Sequence, residues 1–187
     1  MRAVVFMLLI LCSAGAFAEK KFEYLLPEDW KPDESPAPER KTLDLNVKQY
    51  LAGMKKHIKE IPQCSSAKFE EAKPFNNGDS MFQTISWDGA KVDSILSGES
   101  GKGLREVKIS APKGAHDEFQ MRAMMCATYA LIRTLSPKYF DQDQSLDSAK
   151  YLFFNAKERP SKLAVMSDVV DAKLTPLEIV AHPQKTQ

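Results

Sequence analysis

The chain has 187 residues, with 26 lysine or arginine and 25 aspartate or glutamate residues. A length of this order fits one domain that can bury its own core without metals. The near-zero net charge disfavours binding to nucleic acid or to an anionic membrane through bulk charge.

The first 18 residues have the pattern of a secretory signal peptide. Arg2 supplies a positive start, residues 4–11 form an unbroken apolar run, and Ala16 and Ala18 are small residues of the kind that signal peptidases require. The run is shorter than the ~20 residues of a transmembrane helix, so a retained membrane anchor is the weaker alternative. We predict cleavage after Ala18, which gives a periplasmic or secreted chain without a stable membrane anchor. Loss of Arg2 leaves 25 basic and 25 acidic residues.

Residues 19–42 are predicted to form a proline-rich, extended N-terminal arm. Four of the eleven prolines lie in it, and proline fixes φ and lacks an N–H donor. The arm also holds apolar side chains that a plain spacer does not need. These candidate partner-docking residues are Phe22, Tyr24, Leu25, Leu26 and Trp30. They either dock on the chain's own domain or bind a partner.

A first helix is predicted from Asn46 to Pro62. Asn46 can cap it, with Gln49 as the return partner of a capping box. Apolar residues then recur at helical spacing, and we interpret their stripe as a core face. His57 lies among lysines and is assigned to the solvated face.

A second helix is predicted to begin at Asp117, a good N-cap, and to end before Pro137. Apolar residues occupy most of its circumference, which is typical of a central, buried helix. A third, short helix is predicted to start at the cap Ser145.

Three short segments after the first helix predict an antiparallel meander, with strands at 81–87, 92–96 and 104–111. The glycine-rich turn at 98–103 between them lacks the glycine spacing of a phosphate-binding loop, because Leu96 stands where that loop has glycine.

Two further strands, at 163–170 and 177–181, are predicted to close the chain, with a turn at 171–176 and a polar tail at 184–187. We therefore predict a single α+β domain over residues 43–183. Its antiparallel sheet packs against one central and two further helices.

Two cysteines remain after cleavage, Cys64 and Cys126. In an oxidising compartment two leftover cysteines usually pair, and we predict a Cys64–Cys126 disulfide. Two buried free thiols are the alternative.

The titratable residues predict no catalytic, cofactor-binding or metal-binding site. His57, His116 and His182 fall in a helix, a helix entry and a tail, without metal-ligand spacing. The acid pairs Asp141/Asp143 and Asp168/Asp171 are interpreted as solvated polar positions. A catalytic role would depend on the distance between the two carboxylates, which the sequence does not give.

One family resemblance emerges from the order of these features. Tyr24-Leu25-Leu26 follows the signal peptide, Gln49-Tyr50 lies in the first helix, and the run from Ala130 to Pro137 ends the second. This arrangement resembles the YiiQ-like family of proteobacterial periplasmic proteins over most of residues 43–137. The resemblance implies a Gram-negative periplasm, and it supplies no active-site residues because that family has no assigned function.

These features favour a non-enzymatic binding or interaction protein of the periplasm, with another envelope protein as its partner. The alternative is an inhibitor or immunity protein against a secreted toxin or envelope hydrolase, with the turn at 98–103 as its protruding loop. An enzyme acting through carboxylates ranks last. An exposed apolar groove would favour the first class, and a pocket with converging carboxylates or histidine the third.

Overall fold

The computed structural model describes residues 42–87, 89–98, 103–112, 117–156 and 159–184. All of them lie in one compact unit, Ala37–Gln187. The α+β prediction is confirmed, because three helices pack on one antiparallel sheet in this part of the chain. The helices are α1 (Val47–His57), α2 (Glu118–Leu135) and α3 (Gln142–Asn155). The strands are β1 (Lys68–Phe69), β2 (Lys73–Phe75), β3 (Ser80–Trp87), β4 (Ala90–Gly98), β5 (Leu104–Ser110), β6 (Ser161–Val165), β7 (Asp168–Leu174) and β8 (Leu177–Pro183).

The sheet joins two antiparallel meanders through one central pair of strands. Its order is β1-β3-β4-β5-β8-β7-β6, and β2 pairs with β3 on the same edge as β1. The predicted meander is β3-β4-β5, and its last strand pairs with β8 through Ile109 and Ile179. Because β5 and β8 are far apart in sequence, this pairing holds the two halves together.

The sheet is amphipathic, as alternation of side chains along a strand requires. In β4 the buried positions are Ala90, Val92, Ser94 and Leu96, and the residues between them are half-buried or exposed. Helix α2 packs against α1, α3, β4 and β5, so the prediction of a central helix is confirmed. The core therefore lies between the helices and one face of the sheet.

The helices begin where their caps satisfy the first backbone donors. Asn46 and Gln49 form the predicted capping box, with reciprocal bonds of 2.9 Å. Asp117 accepts from the backbone N–H of Gln120 at 2.8 Å. The third helix differs from the prediction: its N-cap is Asp141, and Ser145 is buried inside the first turns. Asp141 is a stronger cap because Gln144 completes a capping box with it.

The C-terminal strands also differ from the prediction. The segment predicted as one strand at 163–170 is two strands, β6 and β7, which turn at Met166 and Ser167. Met166 adopts a left-handed φ of 57°, which sequence rarely signals for methionine. The predicted turn at 171–176 is shorter, because β7 continues to Leu174. The short edge strands β1 and β2 were missed because two or three residues give no periodicity.

Helix α1 packs closely against α2 at Gly53. A β-carbon there would lie 2.5 Å from Cγ2 and 2.8 Å from Oγ1 of Thr134 on α2. The side chain of Thr134 is buried and donates to the carbonyl of Ala130 at 2.6 Å, so it has little room to move. Glycine at this position therefore sets the distance between the two helices.

Gly53→Ala should destabilise the domain by about 1–2 kcal/mol, because the added methyl overpacks the helix contact. Alanine is about 1 kcal/mol better than glycine in an exposed helix, so propensity alone predicts the opposite sign. Urea denaturation of the two proteins measures the difference. Thr134→Ser removes Cγ2 and should recover part of the loss in the double variant. An increase in stability with Gly53→Ala alone would contradict this packing argument.

Candidate functional site

The most polar cluster in the described part of the chain surrounds Glu60 and joins α1 to α2. We call it the Glu60 cluster (His57, Glu60, Tyr129 and Arg133). The Glu60 carboxylate accepts from the Tyr129 hydroxyl at 2.6 Å and from Nε and Nη2 of Arg133 at 3.1 and 3.3 Å. Nδ1 of His57 lies 2.8 Å from Oε1 of Glu60. Both oxygens of the carboxylate are therefore engaged.

The assignment of His57 to the solvated face was wrong. His57 is only 3% exposed, and its ring lies against the carboxylate of Glu60. The lysines next to His57 in the sequence suggested that its side chain is exposed to solvent. The better signal was its position three residues before Glu60. The 3-10 turn Ile58–Glu60, which follows α1, brings the two side chains together.

The electrostatics of the cluster favour the ionised carboxylate. Burial alone would raise the pKa of Glu60, but hydrogen bonds from Arg133, Tyr129 and His57 lower that pKa to about 2. Burial and the bond to Glu60 raise the pKa of the Tyr129 phenol. Hydrogen bonding to Glu60 also raises the pKa of Arg133. A carboxylate with so low a pKa is a weak general base near neutral pH.

The Glu60 cluster therefore acts as a structural clamp. Nη1 of Arg133 also donates to the carbonyls of Phe140 and Pro137, which lie in the connection between α2 and α3. Nε2 of Gln142 donates to the backbone carbonyl of Glu60 at 3.2 Å. These bonds tie the end of α1, α2 and the start of α3 together.

A surface pocket of about 680 Å³ lies beside α1. We call it the α1 groove. One wall is the first turns of α1, and the other is formed by β2, β3 and the turn between them. The residues that line it are Asn46, Val47, Lys48, Leu51, Pro74, Gly78, Ser80, Met81 and Gly98.

The lining of the α1 groove is mostly apolar. Val47, Leu51 and Met81 are half-buried and pack at the margin of the core, while Pro74 is exposed. Among the described residues, Lys48 is the one charged member of the lining, and the neighbouring Asp79 does not line it. A surface of this kind can hold bulky apolar side chains with a small number of polar contacts, which is the usual composition of a binding pocket.

The turn at one end of the α1 groove has an unusual backbone. Asn76, Asn77 and Gly78 have φ values of 49°, 55° and 93°. Asparagine tolerates the left-handed region better than most residues, but the conformation remains costly outside glycine. This turn fixes the angle between β2 and β3, and thereby the shape of the groove wall.

Two smaller pockets lie beside the disulfide. Cys64 and Cys126 are joined as predicted, with Cα atoms 5.7 Å apart. The pockets have volumes of about 190 and 420 Å³, and both are bordered by Gln63, Arg122 and Cys126. The disulfide is buried, since Cys64 and Cys126 are 3% and 4% exposed. The indole N–H of Trp87 donates to the carbonyl of Cys64 at 3.2 Å, which adds a second attachment beside the bridge.

The other polar residues form separate pairs. Arg122 pairs with Glu118 on the surface of α2, while Arg133 belongs to the Glu60 cluster. His182 was assigned to a tail but lies in β8, where Nε2 is 3.0 Å from Oδ2 of Asp171. Across the described ranges no group of three or more His, Cys, Asp or Glu residues is arranged to hold a metal ion.

Several predicted features lie outside the described residues. They include the signal peptide, most of the N-terminal arm with its docking residues Phe22, Tyr24, Leu25, Leu26 and Trp30, and His116. Residues 99–102 of the glycine-rich turn are also outside. Among the helices that are described, none has the length and apolar character needed to cross a membrane.

The fold and its surfaces define a disulfide-bonded α+β domain with an apolar groove beside its first helix. The chain matches no known protein family, no curated protein and no solved structure. The resemblance to the YiiQ-like family therefore stays a prediction. The α1 groove was missed from sequence because its two walls are about 30 residues apart and meet only in the folded chain.

Proposed function

We propose that this chain is an exported binding protein of the periplasm, and that the α1 groove holds a segment of a partner protein from the envelope. The α1 groove is the observation that carries the proposal, because it offers an apolar surface that the described helices and strands leave uncovered. The signal-peptide pattern and the disulfide support an oxidising, exported location.

The groove suits a binding role better than a catalytic one. In the part of the chain that the structure describes, its lining contains one lysine and no carboxylate, histidine or cysteine. The Glu60 cluster is the most extensive group of titratable side chains among the described residues. Its side chains are hydrogen-bonded to one another. The role of an inhibitor or immunity protein rested on the glycine-rich turn, whose central residues are not described, and it stays an alternative prediction.

Met81→Asp should abolish capture of a partner that the wild-type chain retains, because a charge in the apolar wall of the groove opposes apolar contacts. The measurement compares periplasmic proteins that co-purify with the full mature chain and with each variant. Val169→Asp is the matched control, since Val169 is also a half-buried strand residue but lies in β7, away from the groove.

The proposal requires a partner that is lost with Met81→Asp and kept with Val169→Asp. Circular dichroism and thermal melting must show that both variants are folded to the same extent. A partner that is retained by both variants, or lost from both while they remain folded, would contradict a binding role for the α1 groove.

A further inference from the structure

We infer that the open edge of β6 pairs with β6 of a second copy of this chain, in an antiparallel register centred on Leu163. This inference goes beyond the proposed function, because it concerns the edge of the sheet opposite the α1 groove. It follows from the hydrogen-bond pattern of the last three strands, the burial of Leu163 and the position of Lys162.

The hydrogen bonds between β7 and β8 show which way the backbone of β7 faces. The N–H of Gln184 donates to the carbonyl of Ser167 at 2.9 Å, just beyond the two strands. Opposed residues of an antiparallel pair alternate between hydrogen-bonded and non-bonded pairs. The next pair, Asp168 and Pro183, is therefore non-bonded, as the missing N–H of proline also requires. The backbone of Asp168 faces β6 instead.

The outward backbone groups of β6 are consequently those of Lys162 and Ala164. Asp168 is paired with Val165, which places the backbone of Val165 towards β7. Because the two sides alternate along a strand, Lys162 and Ala164 direct their N–H and C=O groups away from β7. In the described part of the chain β6 is the last strand of the sheet, so no strand lies beside these groups.

The helix layer leaves this edge partly uncovered. The side chain of Leu163 lies on the core side of the sheet, opposite Val170 in β7. Val170 is fully buried, whereas Leu163 is only half-buried. Ala164 is exposed, and Met166 in the following turn is 53% exposed. The edge thus combines open backbone groups with apolar side chains, which is a template for pairing with another strand.

Charge and symmetry select one register for a second copy. Two copies of β6 related by a two-fold axis pair through their outward residues. Lys162 opposite Lys162 sets like charges against each other, which is destabilising. Ala164 opposite Ala164 leaves Lys162 facing Met166, whose left-handed φ of 57° lies in the turn beyond the strand. Lys162 opposite Ala164 of the second copy separates the lysines and uses every outward N–H and C=O group.

The strand is complementary to itself in this register. The two copies of Leu163 meet on the core side, at a non-bonded pair, where side chains approach most closely. The exposed Met166 lies opposite the exposed Pro160 of the second copy. Each apolar position of the edge is therefore covered by a residue of the same strand, so a second copy is the occupant that β6 specifies.

The lysine of β6 does not block this pairing. Lysine on an edge strand commonly opposes pairing with other chains. Nζ of Lys162 lies 3.4 Å from Oδ1 of Asp171 in β7, so its charge is balanced within its own chain. Lys162 thus selects the register and leaves the edge open. The dimer also leaves both α1 grooves accessible, because each lies beside β2 and β3.

Sedimentation velocity of the full mature chain, from low to high micromolar concentration, tests the inference. We expect a monomer–dimer equilibrium. Residue 164 of each copy lies opposite Lys162 of the other, so Ala164→Glu should strengthen the dimer and Ala164→Lys should weaken it, each by roughly tenfold. The matched controls are Ala52→Glu and Ala52→Lys, at an exposed position of α1, which should leave the dimer unchanged.

Ala164→Pro tests the backbone bonds directly. It removes an outward N–H that faces away from β7, and proline is tolerated on an edge strand, so the chain should stay folded and become monomeric. Circular dichroism checks the fold of each variant. In the wild type, hydrogen exchange at the amides of Lys162 and Ala164 should slow as the concentration rises.

The inference fails if the chain stays monomeric at the highest concentration. A dimer that responds equally to Ala164→Glu and Ala164→Lys, or in the reverse order, would also contradict the β6 register. A monomeric chain that retains a periplasmic protein and loses it with Ala164→Pro would make a partner's strand the occupant. None of these results changes the capture experiment with Met81→Asp, which judges the proposed function separately.

Discussion

Replacing Cys64 and Cys126 together by alanine should lower the free energy of unfolding by about 4 kcal/mol. The bridge closes a loop between residues 62 positions apart, and its removal restores the loop-closure entropy of the unfolded chain. For a domain of this size the loss corresponds to a fall in melting temperature of roughly 10 °C. Thermal and urea unfolding of the wild-type chain and the double variant measure both quantities.

The single variants Cys64→Ala and Cys126→Ala are the controls, because each breaks the same bridge. Each should lose nearly as much stability as the double variant. In the folded protein the bridge should also resist dithiothreitol, since both cysteines are buried. Two free thiols in the unfolded, non-reduced wild-type chain, or a double variant as stable as the wild type, would contradict the prediction.

Glu60→Ala should destabilise the domain by about 2–3 kcal/mol. The substitution leaves the Tyr129 hydroxyl and the Arg133 guanidinium without their shared acceptor, and charged hydrogen bonds carry about 1.5–3 kcal/mol each in such settings. The Glu60 side chain is 24% exposed, so water compensates part of the loss. Glu118→Ala is the control, because its pair with Arg122 is exposed and should contribute less than about 1 kcal/mol.

The contribution of Glu60 should disappear in acid. Its pKa in the folded protein is about 2, below the ordinary value of 4.5, so the unfolded chain binds a proton first as the pH falls. The stabilisation is complete above pH 5 and is lost as the pH falls towards 2. The stability difference between wild type and Glu60→Gln, measured by urea denaturation, should be constant from pH 5 to 7 and shrink below pH 4. A difference that does not change down to pH 2.5 would contradict the ionised clamp.

The local elements that were predicted correctly are those whose signals lie within a few residues. The capping box at Asn46 and the cap at Asp117 depend on bonds between residues three apart, so the sequence contains all that they need. The β3-β4-β5 meander depends on alternation and turns between neighbouring segments. Where a local signal was absent, as at the left-handed Met166 turn, one long strand was predicted in place of two.

The position of polar side chains was harder to predict than the elements themselves. His57 has lysines as sequence neighbours, and its burial depends on α2, whose Tyr129 and Arg133 are about 70 residues further along the chain. Only the packing of α1 and its following turn on α2 brings Arg133 to Glu60.

The sequence by itself predicted the class of the fold and the pairing of Cys64 with Cys126, and the structure confirms both. The fold class depends on local pattern, and the pairing follows from the two cysteines that an exported, cleaved chain would keep. The export signal itself stays a prediction. The tertiary structure alone decided the α1 groove and the Glu60 cluster. Both are built from side chains that are distant in sequence, and their contacts arise only when helices pack on the sheet. The groove owes its shape to the approach of α1 to the β2–β3 turn. The burial and the charge environment of these residues depend on how the helices pack on the sheet, so they cannot be predicted from any one segment of the sequence.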